Sequence, residues 1–520
     1  MRWRLRGQLL SLAMSEYQSG LAEGLGGRTT DPTSEPLLAD IDGVPVPTGH
    51  LIGGEWVGSA STFETRSPLD WDTLHLADVA RGDSATAAAA VTAAASGFEV
   101  WGHTSVAQRA EILRRLADLI DDNNDEIAHV ECLDMGFLKE SMRLRLVSRG
   151  ALNFRTYADL IVAHEDRLWN AKGMTNVVQR MPAGPAVVIT PWNAPFMLST
   201  WKLAPALAAG NTVIHKPAEW SPLSAAMLAE LALEAGLPAG AYNLVQGIGA
   251  EVGAALVADE RVRRISFTGS PATGRLIGKA AADNIVPFTA ELGGKGPLIV
   301  FADADLDAAA HKAAWQFDDS GQVCLAGTRL LVERSIREPF LERFHHHADQ
   351  LVLGDSRDPT TDIAPLAHPD HRLRVHDFVE RSRTAGDTVV RGGRPVDGSL
   401  HYEPTLIEPV SNDSEVVQSE VFGPVLTFQT FEDEAEAIQL ANSTRYGLAA
   451  IVYTGSRGRA ERVAAAVRSG LVWVNTFLVR DLTAPFGGCG ISGIGREGGD
   501  YALDFHSDLK TVMILDDTTS

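Results

Sequence analysis

The sequence predicts an α/β protein in which two successive domains each alternate strands with helices. Between 186 and 292, short apolar runs rich in β-branched residues alternate with helix-like segments, and the same alternation resumes from 297 to 475. Strand–helix–strand units repeated in this way give parallel strands with helices on both faces, which is a doubly wound sheet. A chain of 520 residues also exceeds what one core holds, so two or three packed domains are expected.

The individual elements follow from these periodicities. In the first domain the expected strands are 186–190, 212–215, 242–245, 265–268 and 288–292, with helices at 197–209, 224–235, 250–258 and 272–282. In the second, strands are expected at 297–301, 329–332, 425–431, 448–453 and 471–475, with helices at 306–317, 337–351, 434–442 and 460–467. Helical segments at 85–99, 106–131 and 139–160 precede both domains, and a ligand site is expected in the cleft between them.

Composition excludes several classes of function. The chain has 45 basic and 67 acidic residues, a formal net charge of −22, which argues against binding to nucleic acid or to an anionic membrane. No apolar run reaches the roughly 18 residues needed to span a bilayer. With only 3 cysteines a disulfide framework is not expected, so the sequence favours a reducing, cytoplasmic compartment.

Residues 1–48 are expected to form an extension with mobile parts, because they are rich in Gly, Pro, Ser and Thr. A basic start followed by a short apolar stretch resembles the opening of a signal peptide, but no small-residue cleavage pattern follows. The sequence leaves open whether Met1 or Met14 is the true start.

Cys324 carries the strongest local signal for chemistry. It lies in Gly321-Gln322-Val323-Cys324, between a predicted helix and a predicted strand, with Gly321 and Gly327 where backbone can approach a substrate closely. An arbitrary free cysteine is more often a buried structural residue. Cys132, on a helical stretch, is interpreted in that way, and Cys489 alone makes neither a metal site nor a second nucleophile.

Other motifs accompany Cys324 along the chain, and together they resemble the aldehyde dehydrogenase superfamily from about residue 51 to 515. The matching segments are Thr190-Pro191-Trp192-Asn193, Lys216-Pro217-Ala218-Glu219, Phe267-Thr268-Gly269-Ser270, Glu291-Leu292-Gly293-Gly294-Lys295, Glu420-Val421-Phe422-Gly423-Pro424 and Pro485-Phe486-Gly487-Gly488. The resemblance implies a Rossmann-like cofactor domain (49–173 and 190–292) and an α/β catalytic domain (293–495). It also implies a small oligomerisation unit (174–189 and 496–520), hence a homodimer or a homotetramer.

The resemblance assigns catalytic roles that agree with the chemistry. Cys324 would attack the aldehyde as a thiolate, since the neutral thiol is a poor nucleophile. Asn193 and the Cys324 backbone N–H would stabilise the oxyanion, a role worth about 3–4 kcal/mol per donor. Glu291 would activate the water that hydrolyses the resulting thioester, and the alternative for this residue is a solvated surface carboxylate.

The same resemblance implies that the cofactor is NAD. Lys216 and Glu219 would hold the adenosine ribose, and a carboxylate there would repel the 2′-phosphate of NADP. Ser270 would face the pyrophosphate from the start of a helix. The remaining expected cofactor contacts are Thr190, Pro191, Trp192, Ala218, Gly249, Phe267, Gly269, Leu292, Glu420 and Phe422. Gly249 belongs to a glycine pattern whose simpler interpretation is a tight strand-to-helix turn.

Two arginines indicate the substrate. The segments 148–155 and 474–482 resemble stretches of the 2-hydroxymuconate and 2-aminomuconate semialdehyde dehydrogenases, in which the arginines matching Arg149 and Arg480 hold the substrate carboxylate. A planar guanidinium grips a carboxylate with two parallel hydrogen bonds. The alternative is that both are surface ion-pair partners. This chain departs from the common pattern at Gly296 and at Cys489-Gly490, and its loop after Arg155 is shorter.

The sequence leaves three other functions open. They are a broad-specificity enzyme for neutral aldehydes, a structural or binding protein that has lost catalysis, and an ester or thioester hydrolase that uses no dinucleotide. No metal is expected, because adjacent helical residues such as His345, His346 and His347 point in different directions.

Overall fold

A computed structural model describes residues 37–515. Its largest sheet is a mixed sheet of eight strands, seven from the first 291 residues and one from near residue 493. The strands, in spatial order, are β21 (Gly493–Ile494), β13 (Phe288–Glu291), β12 (Arg264–Thr268), β9 (Ala186–Ile189), β10 (Val213–Lys216), β11 (Tyr242–Leu244), β3 (His50–Ile52) and β4 (Glu55–Val57). The five central strands from β13 to β11 are parallel, as predicted, and antiparallel strands extend both edges.

Helices cover both faces of this sheet. They are Ser84–Trp101, Val106–Asp122, Asn124–Met135, Lys139–Ser141, Ser148–Ala163, Pro195–Ala208, Leu223–Glu234, Ala254–Ala258 and Pro271–Asp283, with π-helical turns at Met142–Val147 and Gly249–Gly253. Neighbouring residues of one strand enter different cores: Val187 packs in one hydrophobic cluster and Val188 in another. This alternation is what a strand buried on both faces requires, and it confirms the doubly wound prediction.

The second sheet has seven strands. Their order is β16 (Thr388–Arg391), β17 (Thr405–Glu408), β18 (Val425–Phe431), β15 (Arg329–Glu333), β14 (Pro297–Val300), β19 (Ala449–Tyr453) and β20 (Leu471–Val474). All neighbours are parallel except β16 and β17. Its helices are Leu306–Ala314, Arg337–Asp349, Pro369–Thr384, Glu415–Gln418, Glu434–Ala441 and Arg457–Ala466, with 3₁₀ turns at Trp315–Gly321 and Arg334–Ile336.

The elements between 352 and 424, two helices and two strands, were not predicted from the sequence. The helix Pro369–Thr384 has a polar composition with few buried side chains, and β16 alternates exposed with half-buried residues. β17 lies beside β18, in the 352–424 stretch where no alternation was recognised. These elements were not predicted because their local hydrophobic periodicity is weak. Such elements are stabilised by tertiary contacts, which a local sequence pattern does not show.

A three-stranded antiparallel sheet brings the chain terminus back to the middle of the sequence. Its order is β22 (Ser507–Leu515), β8 (Met174–Pro182) and β7 (Arg167–Ala171). The predicted pairing of the C-terminal strand with the 174–189 region is confirmed over Met174–Pro182. β9 instead belongs to the centre of the eight-stranded sheet, so the bridging strand ends before it. A short helix, Gly499–Phe505, precedes β22, and a 3₁₀ turn, Gly490–Ser492, precedes β21.

Two hairpins complete the fold: β1 (Leu38–Ile41) with β2 (Val44–Pro47), and β5 (Thr62–Arg66) with β6 (His75–Ala80). The first corrects the predicted extension 1–48, because Ile41, Val44 and Val46 are buried in the core of the first domain. Residues 1–36, including Met1 and Met14, lie outside the described residues. Within 37–515, no helix combines the length and apolar character that a membrane span requires.

Candidate active site

One cavity of about 480 Å³ collects the residues expected to carry the chemistry. Cys324, Asn193 and Glu291 line it, and so do both candidate carboxylate-binding residues, Arg149 and Arg480. These residues come from segments far apart in sequence, and the cavity wall combines residues that follow strands of both large sheets. The rest of the wall is mostly apolar and includes Met197, Leu198, Trp201, Leu325, Leu448, Phe477 and Phe486.

Cys324 is held by a tightly constrained turn. The preceding residues Asp319, Ser320 and Gly321 all have left-handed backbone angles, with φ of 51°, 52° and 65°. Non-glycine residues adopt this conformation only where the surroundings impose it. Here the Gln322 side chain imposes it, donating to the Asp319 carbonyl (3.1 Å) and accepting from the backbone N–H of Ala367 (3.0 Å).

The environment of Cys324 keeps its thiol protonated at rest. Burial, followed by the nearby carboxyl groups of Glu420 and Glu291, raises the pKa of the Cys324 thiol to about 12, while Arg480 acts in the opposite direction. A group with that pKa loses its proton only when a base takes it as the nucleophile attacks.

Asn193 lies in the loop between β9 and the helix Pro195–Ala208. Its side-chain Nδ2 donates to the carbonyl of Gln322 at 2.8 Å, two residues before Cys324. An amide nitrogen carries two hydrogens, so the second remains to donate to an oxygen bound at Cys324. The helix start is fixed by Glu131, whose Oε1 accepts from the Phe196 N–H at 2.6 Å and from Ser224 Oγ at 3.0 Å.

Glu291 ends β13 with its carboxylate inside the cavity wall. It is only 6% exposed, and neither side-chain oxygen has a hydrogen-bond partner among the described residues. Burial, and then the charge of Glu497, raises the pKa of Glu291 well above its ordinary value. The alternative interpretation, a solvated surface carboxylate, is wrong. A carboxyl group whose pKa is raised is a stronger base in its ionised form than an ordinary carboxylate, which makes Glu291 a candidate general base.

Glu497 was missed in the sequence. Its carboxylate accepts from Lys202 Nζ at 2.5 Å and from Trp201 Nε1 at 2.6 Å, and Lys202 also donates to Ser266 at 3.0 Å. The pair of Lys202 and Glu497 is buried beside Glu291. Glu497 follows two glycines and a basic residue near the chain terminus, where no local pattern distinguishes it from a surface acid.

Arg149 and Arg480 meet around one indole ring. Their guanidinium carbons lie 5.7 and 4.8 Å from the centroid of Trp201, and Arg480 also lies 3.9 Å from that of Phe486. Burial and the neighbouring Arg149 lower the pKa of Arg480 to about 9. No ion pair to either arginine occurs within 37–515, and two side-chain nitrogens of Arg149 are buried without a partner. The alternative that both are surface ion-pair partners is therefore wrong.

The candidate cofactor residues line the carboxyl ends of the central strands. Lys216 Nζ pairs with Glu219 Oε2 at 3.0 Å, and a Cβ added to Gly249 would lie 3.8 Å from that nitrogen and 4.0 Å from that oxygen. Ser270 caps the helix Pro271–Asp283, accepting from the Thr273 N–H at 3.1 Å. Ala218 is in the loop between Lys216 and Glu219, and Pro191 follows Thr190 in the loop after β9.

Other candidates on this side are partly committed to the fold. The Thr190 hydroxyl is buried against His215 Nε2 at 2.9 Å, and the Thr190 backbone N–H donates to the Lys216 carbonyl at 3.2 Å. The Phe267 ring packs against Gly269 so closely that a Cβ added to Gly269 would collide with the ring. Leu292 packs against Gly274 in the same way.

Glu420 and Phe422 join this region from the second domain. The Glu420 carboxylate accepts from the Gly294 N–H at 2.8 Å, and a Cβ on Gly293 would collide with it. Burial raises the pKa of Glu420 to about 7. The Phe422 ring contacts Trp192 edge-on at 5.3 Å, and its carbonyl lies 2.7 Å from Nε2 of His371, a residue that the sequence did not single out.

Comparison with known proteins gives a consistent result. The aldehyde dehydrogenase family model matches residues 56–512. The chain is 42% identical to a 2-hydroxymuconic semialdehyde dehydrogenase of Pseudomonas sp. (strain CF600), covering 89% of this chain and 99% of that protein. It is 38% identical to a 2-aminomuconic 6-semialdehyde dehydrogenase of Pseudomonas sp., covering 91% and 98%.

Solved structures agree with these matches. An indole-3-acetaldehyde dehydrogenase of P. syringae, solved in complex with NAD+ and IAA, superposes with a TM-score of 0.89 at 38% identity, covering 91% of this chain and 98% of that chain. HpcC from Thermus thermophilus gives a TM-score of 0.87 at 43% identity, covering 90% and 93%. The family match spans nearly all of the described chain, and the relatives are covered almost completely. This chain therefore belongs to the aldehyde dehydrogenase family.

Proposed function

We propose that this protein oxidises a semialdehyde bearing a carboxylate to the corresponding dicarboxylic acid, with NAD as the oxidant. The observation that carries the proposal is a single cavity with a thiol, an amide donor and a carboxyl group, together with two guanidinium groups. In the part of the chain that the structure describes, the carboxyl group has no hydrogen-bond partner and the guanidinium groups have no carboxylate partner. Relatives named for muconic semialdehydes support the substrate class. The alternatives that lack catalysis or the dinucleotide leave these groups without a role.

The residues on the cofactor side fit a dinucleotide. Because Gly249 has no side chain, there is open space beside the Lys216–Glu219 pair that a larger residue would fill. The pair offers a hydrogen-bond donor and an acceptor to ribose hydroxyls. The Glu420 carboxylate and the Trp192 and Phe422 rings would hold the end nearest Cys324. When bound, NAD supplies the two-electron oxidant by accepting a hydride from the carbon attached to sulfur.

The chain itself performs the steps before and after oxidation. Cys324 Sγ bonds to the aldehyde carbon while its proton passes to solvent water. The carbonyl oxygen then becomes an oxyanion that accepts from Asn193 Nδ2 and from the Cys324 backbone N–H. After oxidation, Glu291 takes a proton from water as the water oxygen attacks the thioester carbon. The carbon–sulfur bond breaks, and Glu291 passes its proton to the departing sulfur, which regenerates both the thiol and the Glu291 carboxylate.

The arginines would orient the substrate. A carboxylate held between Arg149 and Arg480 would pair with two half-buried cations and fix the far end of the substrate, so that the aldehyde is presented to Cys324. The stacking of both guanidinium groups on Trp201 keeps their orientation in the free enzyme, which reduces the entropy lost on binding.

A homo-oligomer, either a dimer or a tetramer, is also part of this proposal. The outer sheet ends in β22, an edge strand whose side chains are mostly exposed and include Leu509, Met513 and Leu515. Leu168 on β7 adds to this apolar surface. An unpaired apolar edge of this kind is normally covered by another chain.

The test compares substrates across variants. Wild-type protein with NAD is assayed by NADH formation on 2-hydroxymuconic semialdehyde and on propanal. Arg480→Ala should raise the Michaelis constant for the acid by about 10- to 150-fold, the equivalent of one charge-assisted hydrogen bond, and leave propanal little changed. Equal losses on both aldehydes would refute the carboxylate role. Cys324→Ser should abolish NADH formation from either.

A further inference from the structure

A second polar group in the cavity wall has no part in the mechanism above. It consists of Arg145, on the π-helical turn Met142–Val147, and Asp319, in the turn before Cys324. Arg145 precedes Arg149 by four residues on a continuous helical path, which places the two residues about 6 Å apart along the axis. Both residues line the same cavity as Cys324.

Asp319 is the unusual member of this pair. It is 3% exposed, and its Oδ1 atom is buried without a hydrogen-bond partner among the described residues. Arg145 donates to the neighbouring Asp318 at 3.2 Å, whereas its distance to Asp319 Oδ2 is 3.8 Å, too long for a hydrogen bond. Within 37–515, the fold therefore leaves one oxygen of a buried carboxyl group without a hydrogen bond in a ligand cavity, while the other oxygen has only the long ion pair to Arg145. A buried oxygen of this kind is costly unless a ligand or water completes its hydrogen bonding.

The chemistry of Asp319 limits what it would bind. Burial and the adjacent Asp318 raise the pKa of Asp319 well above its ordinary value. A protonated carboxyl group donates one hydrogen bond and accepts others, which matches a hydroxyl or an uncharged amino group. A second carboxylate would meet the negative charge of Asp318, and an alkyl group would leave Asp319 unsatisfied.

We propose that Asp319, supported by Arg145, is a second recognition point of the aldehyde cavity and binds a hydroxyl or amino substituent on the chain of the semialdehyde. Arg149 and Arg480 would hold the carboxylate of the same molecule, so this inference rests on the proposed function. Together the two points would favour substituted semialdehydes over plain ones of similar length.

The experiment uses two acids and one neutral aldehyde with the intact enzyme and NAD. One acid is 2-hydroxymuconic semialdehyde. The other is 6-oxohexanoate, which has a chain of similar length and a carboxylate but no hydroxyl group. Propanal is the neutral aldehyde. Asp319→Ala should lower the ratio of kcat/KM for the hydroxylated acid to that for the plain acid by about ten-fold, the equivalent of one good hydrogen bond. The kcat/KM values for 6-oxohexanoate and for propanal should each change by less than about ten-fold.

Two further variants separate recognition from folding. Asp319→Asn keeps the size and hydrogen-bonding capacity and should retain most of the ratio. Asp307→Ala removes an exposed carboxylate that pairs with His347 outside the cavity, and should leave the ratio unchanged. An unchanged ratio in Asp319→Ala would overturn the inference, as would equal losses on both acids. Failure of the proposed function would appear separately, as a wild-type enzyme that prefers propanal to both acids.

Discussion

Replacing Glu291 by glutamine should separate the two halves of the reaction. Glu291→Gln keeps the volume of the side chain but cannot accept a proton from water. Thioester hydrolysis should therefore slow while thioester formation continues. General-base catalysis contributes about 10²–10⁴-fold, so an enzyme turning over at roughly 10 s⁻¹ would fall to roughly 0.1–0.001 s⁻¹. Each chain has one Cys324, so one equivalent of NADH should form in a rapid burst before this slow phase.

The pH dependence provides a second readout of the same residue. Because burial and Glu497 raise the pKa of Glu291, its carboxylate form grows as pH rises through that raised value. Wild-type turnover limited by hydrolysis should rise with pH over this range, and the rise should be absent in Glu291→Gln.

The assay is stopped-flow NADH absorbance at an enzyme concentration where one equivalent of NADH is readily detected. Glu260→Gln, an exposed residue in the loop after the helix Ala254–Ala258, is the control and should behave as wild type. A Glu291→Gln enzyme with no burst and wild-type steady-state turnover would refute the assignment. A slow burst would instead show that Glu291 also takes the proton of Cys324.

Further predictions test the remaining parts of the site and fold. Asn193→Ala should lower kcat/KM by about 10²–10³-fold through loss of one oxyanion donor, with Asn124→Ala as an amide control outside the cavity. Burial raises the pKa of Glu131 to about 7, so the folded state holds a proton that the unfolded chain releases near pH 4.5. The free energy of unfolding should therefore fall as pH rises from about 4.5 to 7, and Glu131→Gln should reduce this pH dependence in urea titrations. If the free energy of unfolding of the variant changed with pH as steeply as that of the wild type, this prediction would be contradicted. Met513→Asp should lower the molar mass in light scattering, whereas Lys510→Asp should not, if the β22 edge is the subunit contact.

The local sequence was informative wherever side chains follow a periodic pattern. The central parallel strands are buried on both faces, so their apolar runs marked them, and the order of the motifs indicated the family. The helix Pro369–Thr384 and strands β16 and β17 lacked such patterns, and the hairpin β1–β2 was hidden in a segment of loop-like composition.

By itself, the sequence determined the fold class through its repeated strand–helix alternation. It also predicted the candidate nucleophile, amide donor and base, because each of these residues lies in a motif whose members are adjacent in the chain. Only the tertiary structure decided what surrounds them. Glu497 lies beside Glu291, the two arginines share Trp201, and one oxygen of Asp319 has no hydrogen-bond partner among residues 37–515. The physical reason is that burial and charge proximity, which set the pKa values and the binding preferences of these groups, depend on contacts between residues far apart in sequence.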